Sequence, residues 1–242
     1  PQVHNKAADK NQSGMICSGE QTIFLYSIQS SDKDVVQKIV HAFKYNLQHT
    51  LQLTEKGIEC LSSNFPSFYH FKLLNENQFI YKEQIGYLHH LYIIGGGHCA
   101  LALSALMHSL GFYIHLFDDR EGLNTMEQNH YVQDKNVIDD YAAIAPLIPS
   151  GENHYVVIMT LGYRTDAIAL KAIIDQSYKY LGVLGSSKKI EQLFNEFRLE
   201  GIAQEKLQTV YAPIGLFIKS ETPEEIAVSI AAQIIKIKNT II

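Results

Sequence analysis

Residues 91–120 read LYIIGGGHCALALSALMHSLGFYIHLFDDR, and this stretch decides the fold class. The apolar run at 91–94 predicts a buried strand, and the helix that begins near His98 ends at Gly111, a residue that commonly stops helices. A second strand is predicted over 112–117. Strand, glycine turn, helix and strand in this order predict the first unit of a parallel sheet that is covered by helices on both faces.

The same alternation continues towards the C-terminal end of the sequence. Further strands are predicted at residues 154–160, 178–184 and 209–212, and helices at 137–144, 166–174, 187–199 and 222–238. The last helix has a strong start, because Thr222 and Glu225 form a capping-box pattern around Pro223. With right-handed crossovers, residues 88–242 are therefore predicted to form a doubly wound, Rossmann-like α/β domain.

The preceding region, residues 1–87, has a different pattern. It begins with a polar, turn-rich stretch over 1–20 and continues with a predicted strand at 22–27 and a predicted helix at 32–47. Residues 51–83 look irregular, with short strands expected at 68–74 and 79–82 around an Asn-Glu-Asn turn. We therefore expect a small α+β domain here, and an incomplete one.

Composition excludes several classes of protein. The 242 residues contain 20 Lys and Arg against 25 Asp and Glu, so the net charge of −5 argues against a nucleic-acid binder. The sequence has no run of 18 apolar residues, so no membrane span is expected. Three widely spaced cysteines do not form a disulfide framework or a zinc motif. A cytoplasmic location fits this cysteine usage best.

The glycine turn has the features of a nucleotide-binding loop. Residues 95–100 (GGGHCA) fit the pattern G-x-G-x-x-A between a strand and a helix. In that pattern Gly95 allows a tight turn, and Gly97 lets the backbone approach a phosphate at the helix N-terminus. Asp118 follows Gly97 by 21 residues, where a carboxylate would bind a ribose. Arg120 could contact an extra phosphate or pair with a neighbouring aspartate, and the sequence leaves both interpretations open.

A second strand-to-helix turn, residues 182–189 (GVLGSSKK), is also rich in small residues. Its two lysines lie in the first turn of a helix, where positive charge is unfavourable. The sequence therefore leaves two interpretations, an anion bound at this turn or a solvated pair of charges. Motifs for a serine nucleophile, a zinc protease or a P-loop do not occur in the chain.

The motifs taken together resemble those of the XdhC/CoxI family of xanthine dehydrogenase accessory proteins. The glycine loop and Asp118-Asp119-Arg120 resemble the family's GAGHxA and DDR segments. Residues 157–160, 182–189, 212–216 and 222–230 match further family segments in the same order, and residues 14–19 (GMICSG) resemble a GMxCGG segment. The resemblance implies a Rossmann-like C-terminal domain and commonly a homodimer.

The resemblance also implies a function. Members help to mature molybdenum hydroxylases by binding the molybdenum cofactor in its molybdopterin form, supporting its sulfuration with a cysteine desulfurase, and delivering it to the apo-enzyme. An accessory protein, rather than an enzyme, is therefore expected. The cofactor-binding residues predicted from the loops and the resemblance are Gly95, Gly96, Gly97, His98, Asp118, Asp119, Arg120, Thr160, Gly185, Ser186 and Lys188.

The sequence departs from the family pattern at several points. Gly96 replaces an alanine, Ser18 replaces a glycine, and residues 160–163 (TLGY) replace a Thr-His-Asp-His segment. A Ser-Gly-Gly-Cys segment expected upstream is absent from this sequence, which leaves Cys17 and Cys99 as the metal-ligand candidates. Two alternative functions stay open: an NAD(P)-dependent oxidoreductase, and a nucleotide-sensing module without catalysis.

Overall fold

The computed structural model describes residues 2–3, 20–21, 25–45, 47–62, 69–75 and 78–240. The chain divides into two compact units, Pro1–Ile85 and Gly86–Ile242. The segment 14–19, with Cys17, lies outside the described residues, and so does part of the strand predicted at 22–27. The prediction that the first domain is incomplete stays a prediction.

Within the described residues, the first unit contains one α-helix and two antiparallel sheets. Its elements are β1 (Gln2–Val3), β2 (Glu20–Gln21), a 3₁₀ turn (Ser30–Asp32), α1 (Lys33–Lys44), β3 (His49–Thr54), β4 (Gly57–Leu61), β5 (Tyr69–Asn75) and β6 (Gln78–Ile85). Strands β1 and β2 pair with each other, and the larger sheet has the order β4-β3-β6-β5. Residues 25–29 are not in a strand. The prediction of a strand at 22–27 is therefore wrong for residues 25–27, the part of it that the structure describes.

All four strands of the larger sheet lie partly or wholly in the stretch predicted to be irregular, and two of them, β3 and β4, were not among the short strands expected there. The hairpin of β3 and β4 turns at Glu55 and Lys56, and Gly57 follows with φ +133°. The predicted strand at 68–74 corresponds to β5, whose side chains Tyr69 and Leu73 are 64% and 62% exposed. This edge strand therefore contributes little to a buried core.

The second unit is larger. Its elements are β7 (His90–Ile94), α2 (His98–Ser109), β8 (Tyr113–Asp118), α3 (Asn124–Glu127), β9 (Asp134–Val137), two 3₁₀ turns (Tyr141–Ala143 and Ala145–Leu147), β10 (Gly151–Ile158), α4 (Tyr163–Ile173), β11 (Tyr178–Val183), α5 (Ser187–Leu199), α6 (Gln204–Gln208) and α7 (Pro223–Lys238). The sheet is fully parallel with the order β11-β10-β7-β8-β9. This is the strand order of a Rossmann fold, so the predicted fold class is confirmed.

Two local predictions in this unit need correction. Residues 134–137 form β9, and the helix predicted at 137–144 is reduced to 3₁₀ turns, the first of which is capped by the Asp140 side chain. The strand predicted at 209–212 is a single bridge. There, the Tyr211 backbone bonds to Leu181 and Val183, at the outer edge of β11.

Apolar layers on both faces of the parallel sheet form the core of this unit. Alternate residues of β7, such as Leu91 and Ile93, pack with α2 and α7 on one face. Tyr92 and Ile94 point to the other face, where α4 and α5 pack. The strand order reverses between β7 and β10, and in such sheets ligands bind in the crevice at the carboxyl ends of these strands.

Candidate functional site

Gly95 begins the glycine loop and holds it against the end of β10. Its φ is +109°, and a Cβ there would lie 2.3 Å from the Met159 carbonyl oxygen. A side chain at this position is therefore excluded both by conformation and by space. The loop after β7 and the backbone of Met159 and Thr160 are thus in direct contact at the point where the strand order reverses.

Gly97, the N-cap residue of α2, differs from Gly95 both in backbone conformation and in the space around its Cβ position. Its φ is −73°, which any residue adopts, and a methyl group at its Cβ position would meet no atom of the described residues within 4 Å. In the part of the chain that the structure describes, no side chain caps α2, and the Gly97 carbonyl accepts the first helical hydrogen bond from the Leu101 N–H. The fold therefore does not require glycine here. The open space instead faces the N-terminus of a helix, where backbone N–H groups favour anions.

Gly96 is buried and fixes the loop through both of its backbone groups. Its N–H donates to Asp118 Oδ2 (2.6 Å), and its carbonyl accepts from the Thr125 hydroxyl. A Cβ on Gly96 would lie 3.0 Å from Leu123 Cδ2, a flexible side-chain end. No local sequence motif indicates that Thr125 holds the glycine loop, because the two residues that are bonded lie 29 positions apart.

Asp118 is completely buried and forms the other anchor of the loop. Besides Gly96, it accepts hydrogen bonds from three groups of Arg120: the backbone N–H (3.0 Å), Nε (2.8 Å) and Nη2 (2.8 Å). Burial raises the pKa of Asp118, but the hydrogen bonds from Arg120 and Gly96 outweigh burial, so the pKa lies below its ordinary value. Arg120 thus pairs with Asp118, one of the alternatives that the sequence left open.

Asp119 is exposed beside this pair. The buried Tyr141 hydroxyl accepts from the Asp119 N–H and donates to Asp119 Oδ1, each at 3.2 Å. The turn that follows β8 is therefore held at Asp118 and at Asp119.

A second buried carboxylate organises the neighbouring loops. Asp166 is fully buried and accepts from the backbone N–H (2.9 Å) and the hydroxyl (2.6 Å) of Thr160. Lys189 forms an ion pair with the other oxygen of Asp166 and donates to the Leu184 carbonyl at 3.1 Å. Sequence reasoning did not find this pair, because its members lie 23 residues apart.

The turn after β11 completes the crevice edge. Gly185 makes room for the stem of Lys189, since a Cβ there would lie 2.9 Å from Lys189 Cδ. Ser186 caps α5 by accepting from the Lys189 N–H. The two lysines of this turn differ in their surroundings. Lys189 forms an ion pair with Asp166, whereas Lys188 is exposed and has no hydrogen bond or ion pair within the described residues.

The remaining candidates are His98 and the cysteines. His98 is exposed at the first turn of α2. Burial raises the pKa of the Cys99 thiol, and Glu224 raises it further, which disfavours the thiolate that binds metals. In the ranges that the structure describes, no group of three His, Cys, Asp or Glu side chains is arranged to hold a metal ion.

The structure therefore gathers most of the predicted residues at one edge of the parallel sheet. The loops after β7, β8 and β10 carry 95–98, 118–120 and Thr160, and the next turn carries 185–188. Chemically, this edge offers backbone N–H donors, a guanidinium group and hydroxyl groups, a set that suits an anionic ligand. Their role in binding stays a prediction.

A histidine-rich cluster lies near the opposite, amino edge of the same sheet. His90 Nδ1 is 3.1 Å from His115 Nε2, and His115 Nδ1 is 2.9 Å from an oxygen of Asp134. The Tyr92 ring stacks on His115 at 4.4 Å between centroids. Burial lowers the pKa of both His90 and His115 to about 4. The cluster thus favours neutral imidazoles.

Comparison with known proteins supports the family resemblance. Residues 91–234 match the family model of the XdhC Rossmann domain. A protein of Escherichia coli (strain K12) described as uncharacterized protein YqeB is 32% identical over 152 residues, which is 62% of this chain and 27% of YqeB. A Bacillus subtilis (strain 168) protein, described as a probable subunit of xanthine dehydrogenase, is 32% identical over 85 residues, or 35% of this chain and 24% of that protein.

A solved structure shows the same fold. The crystal structure of a xanthine dehydrogenase from Bacillus halodurans matches with a TM-score of 0.62 and 19% identity, over 86% of this chain and 65% of the other. The chain spans about a quarter of the length of the curated relatives that it matches, 27% and 24%. None of the helices in the described ranges combines the length and the apolar character that a membrane-spanning helix needs.

Proposed function

Because this chain belongs to the XdhC family, we propose that it is a maturation factor for a molybdenum hydroxylase of the xanthine dehydrogenase type. In this proposal the chain binds the molybdenum cofactor as cargo, supports its sulfuration with a cysteine desulfurase, and passes it to the apo-enzyme. The names of the relatives from Bacillus subtilis and Bacillus halodurans support a link to xanthine dehydrogenase.

The open space in front of Gly97 is the observation that carries this proposal. Neither the φ of −73° nor any neighbouring atom requires glycine at this position. A ligand that approaches the backbone closely would require it, because a side chain would occupy the same space. The N-terminus of α2 then faces the ligand, and its N–H groups suit an anionic group of the pterin cofactor.

The other residues have supporting roles in the proposal. Asp118 and Thr125 hold the loop, while Thr160 and the Asp166–Lys189 pair hold the neighbouring turn. His98 and Lys188 are exposed and can contact the cargo or the partner protein, whereas the exposed Asp119 is bonded to Tyr141. In this scheme the carboxylates act as positioning groups.

Anaerobic purification from cells that produce the cofactor tests cargo binding. We expect molybdenum and pterin to co-purify with the wild-type chain, and to be lost from the variant Gly97→Asp. A folded wild-type chain that carries neither molybdenum nor pterin contradicts the proposal. Activation of apo-xanthine dehydrogenase by the loaded chain and a cysteine desulfurase tests the transfer step.

An NAD(P)-dependent oxidoreductase is the second candidate, motivated by the glycine loop and the strand order. Titration with oxidised and reduced dinucleotides, followed by a search for hydride transfer, separates the two functions. Binding of a dinucleotide with hydride transfer and without molybdenum would favour this candidate.

A further inference from the structure

The hydrogen-bond acceptor sites of the Asp118 carboxylate are fully occupied. An ionised carboxylate has about four lone-pair sites. Oδ1 of Asp118 accepts from the backbone N–H and Nε of Arg120, and Oδ2 accepts from Gly96 N–H and Arg120 Nη2. The carboxylate is 0% exposed. A ribose diol at the end of β8 therefore finds no free acceptor in Asp118.

Arg120, in contrast, is partly exposed and retains donors that Asp118 does not use. A guanidinium has five N–H donors, and Asp118 accepts from two of them, one on Nε and one on Nη2. In the part of the chain that the structure describes, Nη1 has no hydrogen-bond partner, and the side chain is 35% exposed. The planar arrangement of these donors suits the oxygens of a phosphate group.

Asp119 is the group that opposes an anion here. Its carboxylate is exposed and accepts from the Tyr141 hydroxyl at 3.2 Å, and it makes no ion pair with Arg120. Solvent screens the field of an exposed charge strongly. Since Asp118 neutralises the charge of Arg120, directed hydrogen bonds from the guanidinium, rather than net charge, have to provide the affinity.

We propose that the end of β8 binds a phosphate monoester of the ligand through Arg120, and does not bind ribose hydroxyls through Asp118. This inference rests on the proposed ligand-binding role of the crevice. Two sources share this chemistry, since molybdopterin ends in a phosphate monoester and NADP⁺ carries one on its ribose. Arg120 would then select ligands by their terminal phosphate.

Calorimetric titration with NADP⁺ and NAD⁺, which differ only by the monoester, isolates this interaction in the full chain. We expect NADP⁺ to bind about tenfold more tightly than NAD⁺. In Arg120→Gln this ratio should fall to about twofold or less, whereas the remote, exposed Arg198→Gln should leave it unchanged. Asp119→Asn should strengthen NADP⁺ binding about two- to threefold and leave NAD⁺ binding unchanged.

A second measurement covers the case in which neither dinucleotide fits the crevice. The NMR signal of the Arg120 Nε–H group should shift when inorganic phosphate is added, and should not shift with chloride at equal ionic strength. Equal or tighter binding of NAD⁺, an unchanged ratio in a folded Arg120→Gln variant, or the absence of both binding and a phosphate-induced shift overturns the inference.

Cargo analysis separates this inference from the proposed function. A chain that carries molybdopterin without discriminating phosphate monoesters would overturn the inference alone. A chain that discriminates them but never carries molybdenum or pterin would confirm the phosphate site and contradict the maturation function. Molybdopterin and NADP⁺ are distinguished as sources by testing which of them displaces the other.

Discussion

The variant Gly97→Asp should stabilise the protein while weakening ligand binding at least about a hundredfold, two effects that seldom coincide. Gly97 is the N-cap residue of α2, and its extended conformation (φ −73°, ψ −171°) is the one that capping aspartates adopt. The space at its Cβ position is open, so the new side chain meets no clash. An aspartate there gains a cap and a favourable interaction with the helix dipole, together roughly 0.5–1 kcal/mol.

The same carboxylate occupies the approach path of an anionic ligand. Two unit charges about 4 Å apart repel by about 1 kcal/mol in water and about 4 kcal/mol near a protein surface. An intermediate value of about 3 kcal/mol corresponds to roughly a hundredfold loss of affinity. The new cap also occupies a backbone N–H that the ligand would otherwise use, so this loss is a lower limit.

Thermal unfolding followed by circular dichroism and a parallel binding titration measure both effects. The melting temperature should rise by about 1–4 °C. Ala203→Asp is the matched control, because Ala203 is the exposed, uncapped N-cap residue of α6. That variant adds the same charge and a cap, and it should stabilise the fold without weakening binding.

Two results would refute this reasoning. If Gly97→Asp lowers the melting temperature, the glycine serves packing or conformation after all, and the argument from open space fails. If the variant is stable and binds ligand as tightly as the wild type, the ligand does not approach the N-terminus of α2.

Three further predictions follow from the described contacts. Gly96→Ala should lower the free energy of unfolding by about 1 kcal/mol or less, since only the end of Leu123 has to move; a larger loss in urea denaturation would contradict this. Lys189→Met should lower it by about 3 kcal/mol because Asp166 stays buried without its partner, and the double variant with Asp166→Asn should recover part of this loss. Since burial lowers the pKa of His90 and His115 to about 4, below the unfolded value near 6.5, stability should be lost as the pH falls from 6.5 towards 4. The expected slope is about 1.4 kcal/mol per pH unit for each proton that binds only to the unfolded state, and a flat profile of urea midpoints would contradict it.

The sequence predicts the Rossmann domain well because its signals are local. The apolar run before Gly95 and the capping box at Thr222 each specify an element within a few residues. The β3–β4 hairpin was not predicted, although Leu51 and Leu53 of β3 alternate with polar residues as in a half-buried strand. Its second strand, GIECL, lacks a clear alternation, and its Glu55-Lys56 turn is not one of the strong hairpin signals. Residues 209–212 have strand composition, but only Tyr211 makes bonds at the sheet edge.

The candidate site was predicted in outline, but its internal pairing was not. The motifs place the glycine loop, Asp118 and Arg120 near one another. Which groups remain free depends on side-chain geometry, and the pairing of Arg120 with Asp118 is therefore visible only in the structure. Thr125 and the Asp166–Lys189 pair depend on contacts between residues 23 to 29 positions apart, which no local motif encodes.

The anchoring of the glycine loop has a consequence for the kinetics of binding. Gly95 is confined by the Met159 backbone, and Gly96 is bonded at both its N–H and its carbonyl. A loop fixed in this way has no slow rearrangement to make when the ligand arrives. Association should therefore be a single-exponential process whose rate rises linearly with ligand concentration, so differences in affinity between ligands arise mainly from their dissociation rates.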